Sequence, residues 1–159
     1  MILVSKCLAG ENCRMDGGNK LIPEIKKLVD EGKAIPVCPE VLGGLPTPRE
    51  PSEQKDGKVF NRAGEDVTTE FVRGAEAALR ICKEHGCTAA IVKAKSPSCG
   101  YCVIHNGRFD GGLVPGNGIF TQMLLDAGIP VMTELDLERG ISAHDQSWTD
   151  KESITAVKR

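Results

Sequence analysis

The chain has no excess of either charge: 20 Lys and Arg stand against 22 Asp and Glu in 159 residues, a formal net charge of −2. The basic residues are spread along the sequence rather than gathered in a stripe, which argues against a nucleic-acid polymer as partner. Long apolar runs are missing too, and nothing approaches the roughly 20 apolar residues of a membrane-spanning helix. No basic-then-apolar leader precedes the first strand pattern, so a cytoplasmic protein is expected. Histidine is scarce, and His85 at a helix end, His105 in a hairpin and His144 in the tail do not assemble a zinc site. What the chain does have is cysteine, seven of them. Without secretory features, that number points away from disulfides and towards thiols used for metal or redox work.

With 40% apolar residues the chain can fill one core, and its periodicity is that of alternating strands and helices. Met1–Ser5 reads as a strand. Leu21, Ile25, Leu28 and Val29 share one face of a helix over 21–30, with Pro23 in its first turn and Gly32 closing it. Ala34–Cys38 is a second strand, followed by a Pro- and Gly-rich stretch to about Asp66 that reads as a long functional loop. Thr68 or Thr69 caps a helix in which Phe71, Val72, Ala75, Ala78, Leu79 and Cys82 recur at helical spacing up to Gly86. Thr88–Lys93 is a third strand, and 103–109 a hairpin turning at Asn106-Gly107. Ile119, Phe120, Met123, Leu124 and Ala127 line a third helix, and Ile129–Thr133 is the fourth strand. The expectation is a single-domain α/β, Rossmann-like sandwich with a mostly parallel sheet and helices on both faces.

Three cysteines follow three of these strands: Cys7 in Ser5-Lys-Cys-Leu-Ala-Gly10, Cys38 in Val37-Cys-Pro-Glu40, and Cys99 in Lys95-Ser-Pro-Ser-Cys-Gly100. Ligands of parallel sheets bind beyond the carboxyl ends of the strands, where these three meet. Three thiolates suit a metal centre with one coordination position left open. Cys82 lies on the apolar face of its helix and, with Cys87, reads as core. Cys13, in the loop after Cys7, is a candidate neighbour of the site that nothing in its spacing demands. Cys99-Gly-Tyr-Cys102 is also a Cys-x-x-Cys, which opens a thiol-oxidoreductase reading, although a hairpin rather than a helix follows it. A closed zinc site, with Cys102 or Cys13 as fourth ligand, is a further alternative.

Ser5-Lys-Cys-Leu-Ala-Gly10 with Arg14-Met-Asp-Gly-Gly18, then Cys38-Pro-Glu-Val-Leu-Gly-Gly-Leu-Pro-Thr-Pro-Arg49, then Ser96-Pro-Ser-Cys-Gly100, resemble the signature segments of the thiouracil desulfidase family. Asp66-Val-Thr and Gly116-Asn-Gly118 extend the resemblance to about Thr133. It implies a 4Fe-4S cluster held by Cys7, Cys38 and Cys99, and removal of sulfur without redox change from a thiolated pyrimidine such as 2-thiouracil or a related thioamide. On this reading residues 1–133 form the iron–sulfur domain and 134–159 a variable tail, in a monomer or weak homodimer. Met15 stands where the family has an aromatic residue, usually tyrosine, and Lys6 replaces a small one. The different-class alternative is a non-catalytic iron–sulfur carrier or redox-sensing module.

The chemistry of such a site assigns roles to its neighbours. An iron without a protein ligand is a Lewis acid that takes soft sulfur donors. Glu40, pinned two residues after Cys38 by Pro39, is placed to move protons for the water that replaces sulfur. Ser96 and Ser98 flank Cys99 and are placed to hydrogen-bond cluster, substrate or water. Asp16 and Arg49 are candidate substrate contacts, and Arg14, Arg49 and Lys95 offset the negative charge of thiolates and sulfides. Each has a plainer alternative in turn capping, backbone bonding or surface solvation.

Overall fold

The computed structural model describes residues 1–138. Its centre is a four-stranded parallel sheet of β1 (Ile2–Ser5), β2 (Ala34–Val37), β5 (Ala89–Val92) and β8 (Val131–Thr133), in the order β2-β1-β5-β8. Ile2 pairs with Ala34 on one side and Ala89 on the other, and Ala90 pairs with Val131. The inner strands β1 and β5 are buried along their whole length, the continuous apolar run that a sheet covered on both faces requires. The chain leaves β1 for one edge and then returns to build the other. With right-handed crossovers, this places α1 (Pro23–Asp30) on one face and α3 (Thr68–Glu84) and α4 (Ile119–Asp126) together on the other. The reversal lies between β1 and β5, whose following loops diverge and open a crevice.

Leu3, Val4, Ile25, Leu28, Ile91, Phe120, Leu124 and Met132 fill the main core, and Cys82 and Cys87 are buried in it as expected. Leu21 does not join them. It precedes the helix, which starts at Pro23, and its side chain is exposed. The cap of α3 also differs from expectation: Asp66 Oδ1 accepts the Thr68 N–H at 2.9 Å, while Thr68 Oγ1 accepts from Val59 N at 2.9 Å. Thr68 therefore ties the helix to a neighbouring strand rather than capping it.

The stretch expected to be a loop to Asp66 is structured. A four-residue helix α2 (Pro39–Leu42) follows Cys38, and β3 (Ser52–Lys55) pairs antiparallel with β4 (Lys58–Asn61) through a turn at Asp56-Gly57. Val59 joins Val67 and Phe71 in a second small core. The expected 103–109 hairpin is wider than its Asn106-Gly107 signal implies. β6 (Val103–His105) pairs with β7 (Leu113–Pro115) across the loop 106–112, in which Asp110 Oδ1 accepts from Asn106 Nδ2 and Gly112 N. After β8 comes α5 (Glu134–Glu138), and residues 139–159 of the expected tail lie outside the described residues. None of the described helices is long and apolar enough to cross a membrane.

Candidate functional site

The crevice at the carboxyl ends of β1, β2 and β5 holds a cavity of about 360 Å³, within the range of small-molecule sites. Cys7 reaches it from a 3-10 turn (Lys6–Ala9) that begins directly after β1. Cys38 comes from the residue between β2 and α2, and Cys99 from the tight turn after β5. Two close backbone approaches fix these positions. Gly43 and Gly74 let α2 and α3 interlock, since a Cβ on Gly74 would run into the Pro39 carbonyl and one on Gly43 into the Glu70 carbonyl. Gly118 lets the start of α4 pack on the Ser98 carbonyl, and from α4 the Thr121 hydroxyl donates to Cys99 O at 2.7 Å.

A fourth thiol shares the cavity. Cys13 is buried, its carbonyl accepts from the Cys38 thiol at 3.9 Å, and its own thiol touches those of Cys7 and Cys38. The crowding shows in protonation. The Cys38 contact pulls Cys13 down, but Cys7 and burial outweigh it and carry the thiol up to about 11. Cys38 is raised, first by its bond with Cys13 and then by burial. Burial pushes Cys99 up to about 12 against the opposing Ser5 hydroxyl. Left to themselves these groups are neutral thiols, and a bound metal deprotonates them.

Glu40 and Arg49 form the polar wall. Arg49 Nε meets Glu40 Oε1 at 3.1 Å, with the two side chains 6% and 19% exposed. Three more guanidinium donors go to Cys13 O at 2.9 Å, Pro46 O at 3.0 Å and Thr47 Oγ1 at 3.1 Å. Arg49 thus clamps the segment carrying Cys13 to the one carrying Glu40. Burial raises the Glu40 pKa above the ordinary carboxyl value, while Arg49 and Arg14 oppose it. Lys93 lines the same cavity and pairs with Glu134 at 2.8 Å, whose other oxygen accepts from Ala94 N.

The structure brings Cys7, Cys38, Cys99, Glu40, Arg49 and Ser96 to this one cavity. Ser96 Oγ accepts from the amides of Ser98 and Cys99 at 3.1 and 3.0 Å, so it shapes the turn. Ser98 is not on the cavity wall; its Oγ is buried with no hydrogen-bond partner. Asp16 is also away from the wall, on an exposed turn where Oδ1 accepts from Gly18 N at 2.9 Å. Cys102 does not line the cavity and is followed directly by β6, with no helix to lower a thiol pKa. Residues that carried no signal in the sequence complete the wall: Glu53 and Arg62 from β3–β4, and Phe109 from the 106–112 loop. Their hairpin and loop became placeable only once these segments folded over the sheet edge.

The donor set excludes one simple occupant. Among the described residues no three His, Cys, Asp or Glu side chains lie close enough to hold a single metal ion. The thiols nonetheless converge on one cavity, and an all-thiol donor set is the one that iron–sulfur clusters take.

A parallel α/β sheet whose switch-point crevice gathers thiols beside a half-buried carboxylate defines an enzyme with a cysteine-lined centre. The chain belongs to the 2-thiouracil desulfurase family, whose model matches residues 2–136. It is 44% identical over 147 residues to the uncharacterized protein YbbK of Bacillus subtilis (strain 168), covering 86% of this chain and 97% of that one. Among solved structures it is similar to the [4Fe-4S]-dependent thiouracil desulfidase TudS, with a TM-score of 0.82 and 46% identity over 87% of this chain and 93% of that one.

Proposed function

We propose that this protein is a 4Fe-4S-dependent desulfidase that removes sulfur from a small thiolated pyrimidine such as 2-thiouracil. Water replaces the sulfur, so C=S and H2O give C=O and hydrogen sulfide, with no net electron transfer. The observation that carries the reading is the shared cavity, where Cys7, Cys38 and Cys99 from three adjacent strands face the protonatable Glu40. These three thiols would hold the cluster, which supplies a Lewis-acidic iron with an affinity for soft sulfur.

The protein's own part is proton handling and placement. Glu40, with its pKa raised by burial, accepts a proton from the water that adds to the thiocarbonyl carbon and returns it to the departing sulfide. Arg49 fixes Glu40 with one of its donors and holds the Cys13 and Pro46 carbonyls with others, and its uncommitted Nη2–H is a candidate contact for substrate. Ser96 holds the Cys99 turn, and Ser98 is buried behind that turn, off the cavity wall.

Sulfide release from 2-thiouracil by the anaerobically loaded protein, with no reductant added, tests the reading. Stoichiometric uracil and sulfide are expected, with a loss of about 100-fold or more in E40Q at unchanged iron content. A fully loaded protein that releases no sulfide would show a carrier or sensor instead, and a wild-type rate in E40Q would remove Glu40 from the proton path.

A further inference from the structure

Among the described residues Phe109 is the only Phe, Tyr or Trp on the cavity wall, and three features set it apart from a stray surface aromatic. Its backbone sits at φ 56, the left-handed region that a bulky residue occupies only when its surroundings impose it. The imposing group is Glu53, a buried carboxylate whose Oε1 accepts from Gly107 N at 2.9 Å and Phe109 N at 3.2 Å. On the ring lies the Arg62 guanidinium, 5.6 Å from the centroid. A strained backbone, a buried anchor and a stacked cation are more than a solvent-facing loop needs. Met15 lines the same cavity and offers no ring.

We propose that Phe109 is the specificity-determining platform of the site, on which the flat ring of a thiolated heterocycle stacks. Arg62 covers one face of the phenyl ring, and the substrate takes the other. Glu53 is the positioning residue that holds the loop in place. The platform makes the enzyme select cyclic, aromatic thiocarbonyls over acyclic thioamides. The inference rests on the desulfidase reading for the identity of the ligand, although the stacking itself needs no sulfur.

Uracil, which has the ring but no sulfur, separates the two. Calorimetric titration of uracil into the anaerobic holoenzyme should show binding weakened roughly 5- to 150-fold in F109A, the range that loss of one aromatic–base stack gives. F109W restores the ring, so affinity returns and the new indole emission is quenched by uracil above the Trp148 background. In turnover, F109A raises KM for 2-thiouracil by a similar factor. Uracil binding in F109A as tight as in wild type overturns the inference, even if 2-thiouracil is desulfurated. Phe109-dependent uracil binding in a protein that releases no sulfide upholds the inference and overturns the desulfidase reading.

Discussion

Removing the Arg49 guanidinium should expose how the polar wall is held. In R49M the side-chain volume is nearly kept, but Glu40 is left buried with no partner at 3.1 Å, and the carbonyls of Cys13 and Pro46 lose their donors. Breaking one side of a buried pair costs about 3–5 kcal/mol. For a domain of this size, each kcal/mol moves Tm by about 2–4 °C, so a drop of about 6–20 °C is expected. The loss depends on pH. Burial already raises the Glu40 pKa and Arg49 opposes that rise, so removing Arg49 raises it further. A carboxyl whose folded-state pKa lies above its unfolded value contributes stability at pH below the unfolded value, and that stability is lost as pH rises through the folded value. The gap between wild type and R49M is therefore widest at neutral pH and narrows on acidification, as Glu40 takes up its proton. The double variant E40Q/R49M should recover part of the loss, a coupling of about 0.5–3 kcal/mol. Anaerobic thermal unfolding between acidic and neutral pH reads all three. A gap that stays constant with pH, or a double variant no better than R49M, would refute the account of the pair.

Other elements of the scaffold give separate tests. Alanine in place of glycine ordinarily favours a helix by about 1 kcal/mol, yet G74A should destabilise the protein and lower iron uptake, because its Cβ meets the Pro39 carbonyl beside Cys38. T121V leaves the Cys99 carbonyl without its buried donor and should cost about 1–3 kcal/mol in chemical denaturation. C82A, deep in the core, should cost about 1 kcal/mol while iron content stays at the wild-type level.

Much of this architecture is legible in the sequence because burial imposes periodicity. The strands over Ile2–Ser5 and Ala89–Val92 are fully buried and read as apolar runs. Ala75, Ala78 and Cys82 recur at helical spacing because one face of α3 is buried. The β3–β4 hairpin escapes that logic. Ser-Glu-Gln-Lys packs only Glu53 inward, so no apolar alternation marks it. Its one signal is Asp56-Gly57, both at positive φ, the dipeptide that favours a tight hairpin turn. Pro39 similarly marks the first turn of α2, which at four residues is too short to show a period. At the site, Cys7, Cys38 and Cys99 are recognisable because each follows a strand. Cys13 and Phe109 are not, because loop geometry alone brings them to the wall. The committed donors of Arg49 are invisible in sequence for the same reason, since two of their four acceptors are carbonyl oxygens.

The most direct test of the central claim is the iron and acid-labile sulfide content of the anaerobically reconstituted protein, measured beside C7A, C38A, C99A and C13A. Wild type should carry about four irons and four sulfides per chain. Each of C7A, C38A and C99A should lose them, and C13A should keep them. Full iron content in any of the first three, or stoichiometric zinc in place of iron, would contradict the account.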